Sequence, residues 1–160
     1  GGDGDDVWGT PLSIMDGGTE IMNTKLYKKV QSLAGDLMQA AEAENDADFE
    51  KLYTELQTLC EENESDEHKN HPVQWETLAD FTEDFDQALV IYEKALAVSH
   101  LRKTRDYNAS IQYAMALLLS DMDRKEEALE RVTLAQASAN RIEDAELQRE
   151  ISQLLKSLSK

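Results

Sequence analysis

Helix breakers are confined to one end of this chain. Gly1, Gly2, Gly4, Gly9, Gly17, Gly18 and Pro11 fall within the first eighteen residues, leaving only Gly35 and Pro72 in the rest of the 160. A stretch of that length with only two breakers, with 6% aromatics and no alternating Val/Ile/Thr runs, excludes a β-sandwich or a parallel α/β sheet and predicts an all-α body. The composition changes at Met22-Asn23-Thr24. Residues 1–21, rich in Gly and Asp and devoid of Lys and Arg, are expected to be an extended leader, tag or fused peptide, and residues 22–160 a single helical domain.

Charge narrows the partners. The chain has 33 acidic against 16 basic side chains, a net charge of -17, which repels phosphate backbones and anionic lipid headgroups. Neither nucleic acid nor direct membrane binding is expected, and the partner should be a protein or peptide. Cys60 is the sole cysteine, so no internal disulfide is available, and no apolar run approaches the roughly 20 residues that span a bilayer. A cytoplasmic location follows as the expectation. No Gly-rich phosphate loop, G-x-S-x-G, H-E-x-x-H or paired-cysteine motif is present, so the chain is read as a non-enzyme without metal or cofactor. His68 and His71, in the polar stretch Glu61–Pro72, read as solvated linker histidines. Cys60 reads as a half-buried core thiol, and Asn108 as a helix cap.

Apolar residues then recur at spacings of three and four. Leu26, Val30, Leu33 and Leu37 mark a first helix, and Phe49, Leu52, Leu56 and Leu59 a second behind the capping run Asn45–Asp48. A short helix opens at Trp75, another covers Asp84–Leu96, and the basic cluster His100–Arg105 lies in the connection that follows. A last amphipathic helix, capped by Asp144, carries Leu147, Ile151, Leu154, Leu155 and Leu158 on one face.

The motif Trp75-x-x-Leu78-Ala79, followed by Asp84-Phe85-Asp86-Gln87-Ala88-x-x-x-Tyr92-x-x-Ala95, resembles the tetratricopeptide repeat. It recurs as Met115-Ala116-x-x-Leu119 with Ala128-x-x-x-Val132-x-x-Ala135, and more faintly as Leu33-Ala34-x-x-Leu37 with Leu52-x-x-x-Leu56-x-x-Leu59. The resemblance implies three degenerate repeats and a capping helix, arranged as a right-handed superhelical array of antiparallel helix pairs with about seven helices. It also implies an adaptor or chaperone-like role, with a short partner segment held in a concave groove. The implied groove positions are Lys28, Gln31, Met38 and Gln39 in the first unit, Glu76 and Asp80 in the second, and Tyr113, Leu117 and Ser120 in the third. Tyr113 and Leu117 alternatively pack against the fourth or seventh helix. Residues 7–16, through Val7, Trp8, Pro11, Leu12, Ile14 and Met15, are a candidate fused or self-bound ligand. The competing expectation is an acidic, immunity-type partner that covers the basic surface of a toxin or enzyme.

Overall fold

The computed structural model describes residues 23–160. They form seven helices: α1 (Thr24–Glu42), α2 (Asp46–Asn63), α3 (Pro72–Asp80), α4 (Phe85–Arg102), α5 (Arg105–Asp121), α6 (Lys125–Ala139) and α7 (Ala145–Leu158). The described residues contain no strand and no helix long and apolar enough to cross a membrane. The candidate ligand segment 7–16 lies outside them. Two compact units divide the chain, one ending at Gln74 and the other running from Trp75 to Lys160.

Side-chain caps start four of the helices. Asn23, Asn45, Asp84 and Asp144 each accept a hydrogen bond from the backbone N–H three residues on, at 3.0–3.1 Å. These bonds satisfy donors that the first helical turn leaves orphaned. Three helix ends share one turn. Glu44, Lys103 and Asp123 all have positive φ, between 55° and 60°. The next amide in each case reaches back to the last turn: Asn45 to Ala40 O at 2.9 Å, Thr104 to Ser99 O at 3.0 Å and Arg124 to Leu119 O at 2.9 Å. This is the Schellman arrangement that glycine usually serves. No glycine stands at these places, so each bears the left-handed strain of a side chain.

In the first unit, α1 buries Val30, Leu33, Leu37 and Ala40, and α2 buries Leu56, Leu59 and Cys60. Each fully buried Leu or Val contributes about 1.5–3 kcal/mol relative to exposure. Lys29 Nζ and Glu55 Oε2, 3.3 Å apart, tie the two helices at the surface. The polar stretch before α3 departs from its expected solvation. His71 and Pro72 are buried; Val73 N donates to His71 Nδ1 at 3.2 Å, and His71 N to Gln74 Oε1 at 3.2 Å. Pro72 occupies the first position of α3, where a missing N–H costs nothing, so the helix starts ahead of Trp75. Cys60 is wholly buried, its Sγ 3.3 Å from Gln74 O.

In the second unit, Ala109, Ala116, Leu119, Ala128, Val132, Ala135, Ala139, Ile151 and Leu158 form one cluster across α5, α6 and α7. Five of these nine are alanines, and helices approach to about 8 Å only where side chains are that small. Asn108 is not the cap of α5, which begins three residues earlier. Its Oδ1 accepts from Ser138 Oγ at 2.6 Å, bracing α5 against α6. Gln148 Nε2 donates to Ala139 O at 2.7 Å and Ile142 O at 3.0 Å, closing the end of α6. The helix α4 runs on to Arg102, so His100, Leu101 and Arg102 belong to its last turn rather than to a connection.

Gly35 sits in mid-α1 with no heavy atom within 4 Å of where a Cβ would stand. Gly35→Ala is expected to stabilise the first unit by about 0.5–1 kcal/mol. Lys103→Gly should relieve the αL strain and raise stability by about 0.5 kcal/mol, net of the entropy that glycine adds to the unfolded chain. Urea melts of the two variants beside the parent chain read both changes; a loss of stability in either contradicts its local account.

Candidate binding site

Two carboxylates one turn apart on α3 carry the most unusual chemistry in the second unit. Glu76 is half-buried, and Asp80, at the end of the helix, still meets solvent. Each is held by a hydroxyl from another helix. Ser110 Oγ on α5 donates to Glu76 Oε2 at 2.9 Å, and Tyr92 Oη on α4 donates to Asp80 Oδ1 at 2.5 Å. The spacing of four puts both acids on one face of α3.

These acids are placed where charge is costly. Burial lifts the Glu76 carboxyl to about 8; the neighbouring Asp80 charge adds to the effect and the Ser110 hydrogen bond opposes it. Loss of hydration also raises Asp80, to about 6, against the hydrogen bond from Tyr92. Because Asp80 retains an exposed edge, the larger and firmer displacement is that of Glu76. Burial and the two carboxylates raise the Tyr92 phenol and keep it a donor. Hydroxyls, not cations, are the hydrogen-bonding partners of the pair among the described residues. The ammonium of Lys94 lies over the Trp75 ring, 4.6 Å from its centroid, in a cation–π arrangement.

The pair continues onto a mixed surface. Ser110, Tyr113, Leu117 and Ser120 follow at spacings of three, four and three along α5 and share one face. Leu117 is 41% exposed and available to a ligand. Tyr113 is half-buried and packs against the α5–α6–α7 cluster. Lys28, Gln31, Met38 and Gln39 are all exposed on α1, on the side opposite the buried Leu33 and Leu37. They belong to the first unit, while Glu76, Asp80, Tyr113, Leu117 and Ser120 belong to the second. The hydrogen bonds thus bring Glu76, Asp80 and the α5 face together. Tyr92 was legible only as a core position, because its role depends on where Asp80 lies in space.

What the arrangement offers chemically is a proton held near neutral pH and a place where a guanidinium or ammonium would pair with a half-buried carboxylate and its more exposed neighbour. The described residues contain no group of three or more His, Cys, Asp or Glu side chains suited to holding a metal ion. Set against family models, curated proteins and solved structures, the chain matches none of them.

Raised carboxylate pKa values give stability a definite sign. The folded state binds protons more tightly than the unfolded one, so this contribution is most favourable below the ordinary value of 4.5 and declines as pH rises towards about 8. Between pH 6 and 8, where ordinary carboxylates are already ionised, the decline should be largely that of Glu76. Glu76→Gln retains an acceptor for Ser110. It is expected to melt higher than the parent at pH 8 and to flatten the dependence over that window. Parallel pH dependences in calorimetry would show that Glu76 is an ordinary acid.

Proposed function

We propose that the protein is an interaction adaptor or chaperone-like module of the tetratricopeptide-repeat kind, binding a short segment of a partner protein. In this reading its helix pairs stack as a right-handed superhelical array, and the α3 and α5 faces line the groove. The single observation that carries it is the pair Glu76–Asp80, partly stripped of water and matched by hydroxyls only. Two features support the repeat character. Ser110 and Glu76 are 34 residues apart, one repeat length, and alanines dominate the helix contacts of the second unit.

The chemistry specifies the guest. A Lys or Arg side chain enters between Glu76 and Asp80, while an apolar neighbour lies along Leu117. Because such a cation favours the ionised carboxylates, binding near neutral pH releases protons. Residues 7–16 contain no Lys or Arg, so the charge argument favours a segment of another protein over this one.

A second reading draws on the net charge of -17: an acidic partner that neutralises a basic toxin or enzyme through broad surface complementarity. Salt separates the two, because dispersed surface attraction fades as the screening length falls, whereas a partly buried pair is screened less.

The test is fluorescence anisotropy with labelled ten-residue peptides in which one Arg or Lys is set among leucines and alanines, beside all-neutral counterparts. Peptides carrying the cation should bind, and the double variant Glu76→Gln/Asp80→Asn should bind them at least about tenfold more weakly, which is about 1.4 kcal/mol. Leu117→Ser should weaken the same peptides without changing the preference for the cation. Equal affinity of parent and double variant for every peptide overturns the assignment.

A further inference from the structure

The outward side of α4 is chemically unlike the rest of this acidic surface. Of the large apolar side chains left exposed among the described residues, Leu101 at 80% and Val90 at 67% are the most open, and both stand on α4. Exposed residues Asp86, Val90, Glu93, Ala97 and His100 recur at spacings of four, three, four and three, the period of a helix-pairing seam. A shallow hollow of about 330 Å³, lined by Asp86, Gln87, Val90 and Ile91, opens to solvent near the start of the helix. Charge runs one way along it: Glu83 and Asp86 lie at the N-terminal end, and Lys103, with Arg105 just beyond it, at the C-terminal end.

We infer that this face is a self-association surface, on which α4 of a second copy packs antiparallel about a two-fold axis beside Glu93 and Lys94. Self-complementarity of charge selects that occupant. Turned antiparallel, the acidic end of each helix meets the basic end of the other. A parallel pairing sets like charge on like and opposes the helix dipoles. The same register seats Val90 of one copy on Ala97 of the other and brings each Leu101 to the other copy's hollow beside Asp86 and Val90. Every residue of the seam serves both copies, as a two-fold interface requires. A single helix pair lies below the roughly 1,200 Å² of a stable complex, so the association is weak and depends on concentration. This surface is separate from the Glu76–Asp80 site and does not rest on the function proposed for it.

Sedimentation equilibrium on the full chain, from micromolar to near-millimolar concentration, tests the inference. The average mass should climb from 18.0 kDa towards twice that value. Val90→Glu/Leu101→Glu, on side chains too exposed to be needed for folding, should remain monomeric throughout with an unchanged circular dichroism spectrum. Leu134→Glu, which replaces a 45% exposed apolar residue of α6, should associate like the parent. Register is read by oxidative cross-linking: Glu93→Cys, beside the axis, should yield a covalent dimer, and Gln87→Cys, towards one end, should not. A constant monomer mass overturns the inference. So does association that survives Val90→Glu/Leu101→Glu, or cross-linking that favours Gln87→Cys over Glu93→Cys.

Discussion

Close approach between helices is the constraint on which the second unit depends. Ala109 and Ala116 on α5, Ala128, Ala135 and Ala139 on α6, and Ala88 and Ala95 on α4 are all at most 2% exposed. Larger side chains at those places would hold the rods apart. A serine on α5 and a tyrosine on α4 reach carboxylates on α3. The polar site thus joins three helices through hydroxyl–carboxylate hydrogen bonds, beside the buried Ala79 of α3.

That site runs against the usual treatment of charge. Most acidic side chains among the described residues are exposed to solvent. Glu76 instead gives up part of its hydration, and it and Asp80 receive hydroxyl donors, which compensate a carboxylate less fully than a cation does. A fold that needed only stability would gain from Gln at position 76. An unspent preference for positive charge is the physical content of the proposed partner recognition, and it sets the chemistry of the segment that would satisfy it.

Most of the helical framework was legible in the sequence, because its signals are local. Three-and-four spacing marked α1, α2 and α7, and Asn45 and Asp144 announced their helices through side chains that bond three residues away. What escaped depends on distance along the chain. His71 sits in a run of charged residues and reads as solvated, yet it is buried through hydrogen bonds to Val73 and Gln74. Asn108 has the composition of a cap, but its partner is Ser138, thirty residues on. The extension of α4 through His100 and Arg102 was hidden by their charge, since polarity at a helix end resembles a loop. Within the site, Glu76 and Asp80 were named only through the repeat resemblance, whereas the donors Tyr92 and Ser110 lie on helices whose approach no local pattern encodes.

Carbon-detected NMR titration of the side-chain carboxyls measures the central claim most directly. The account predicts that Glu76 titrates far above the 4.5 of an ordinary glutamate, near 8, and that Asp80 follows above its ordinary 3.8. Both transitions should move down when an arginine-containing peptide is added. Transitions near 4.5 and 3.8 in the free protein, unmoved by peptide, would contradict it.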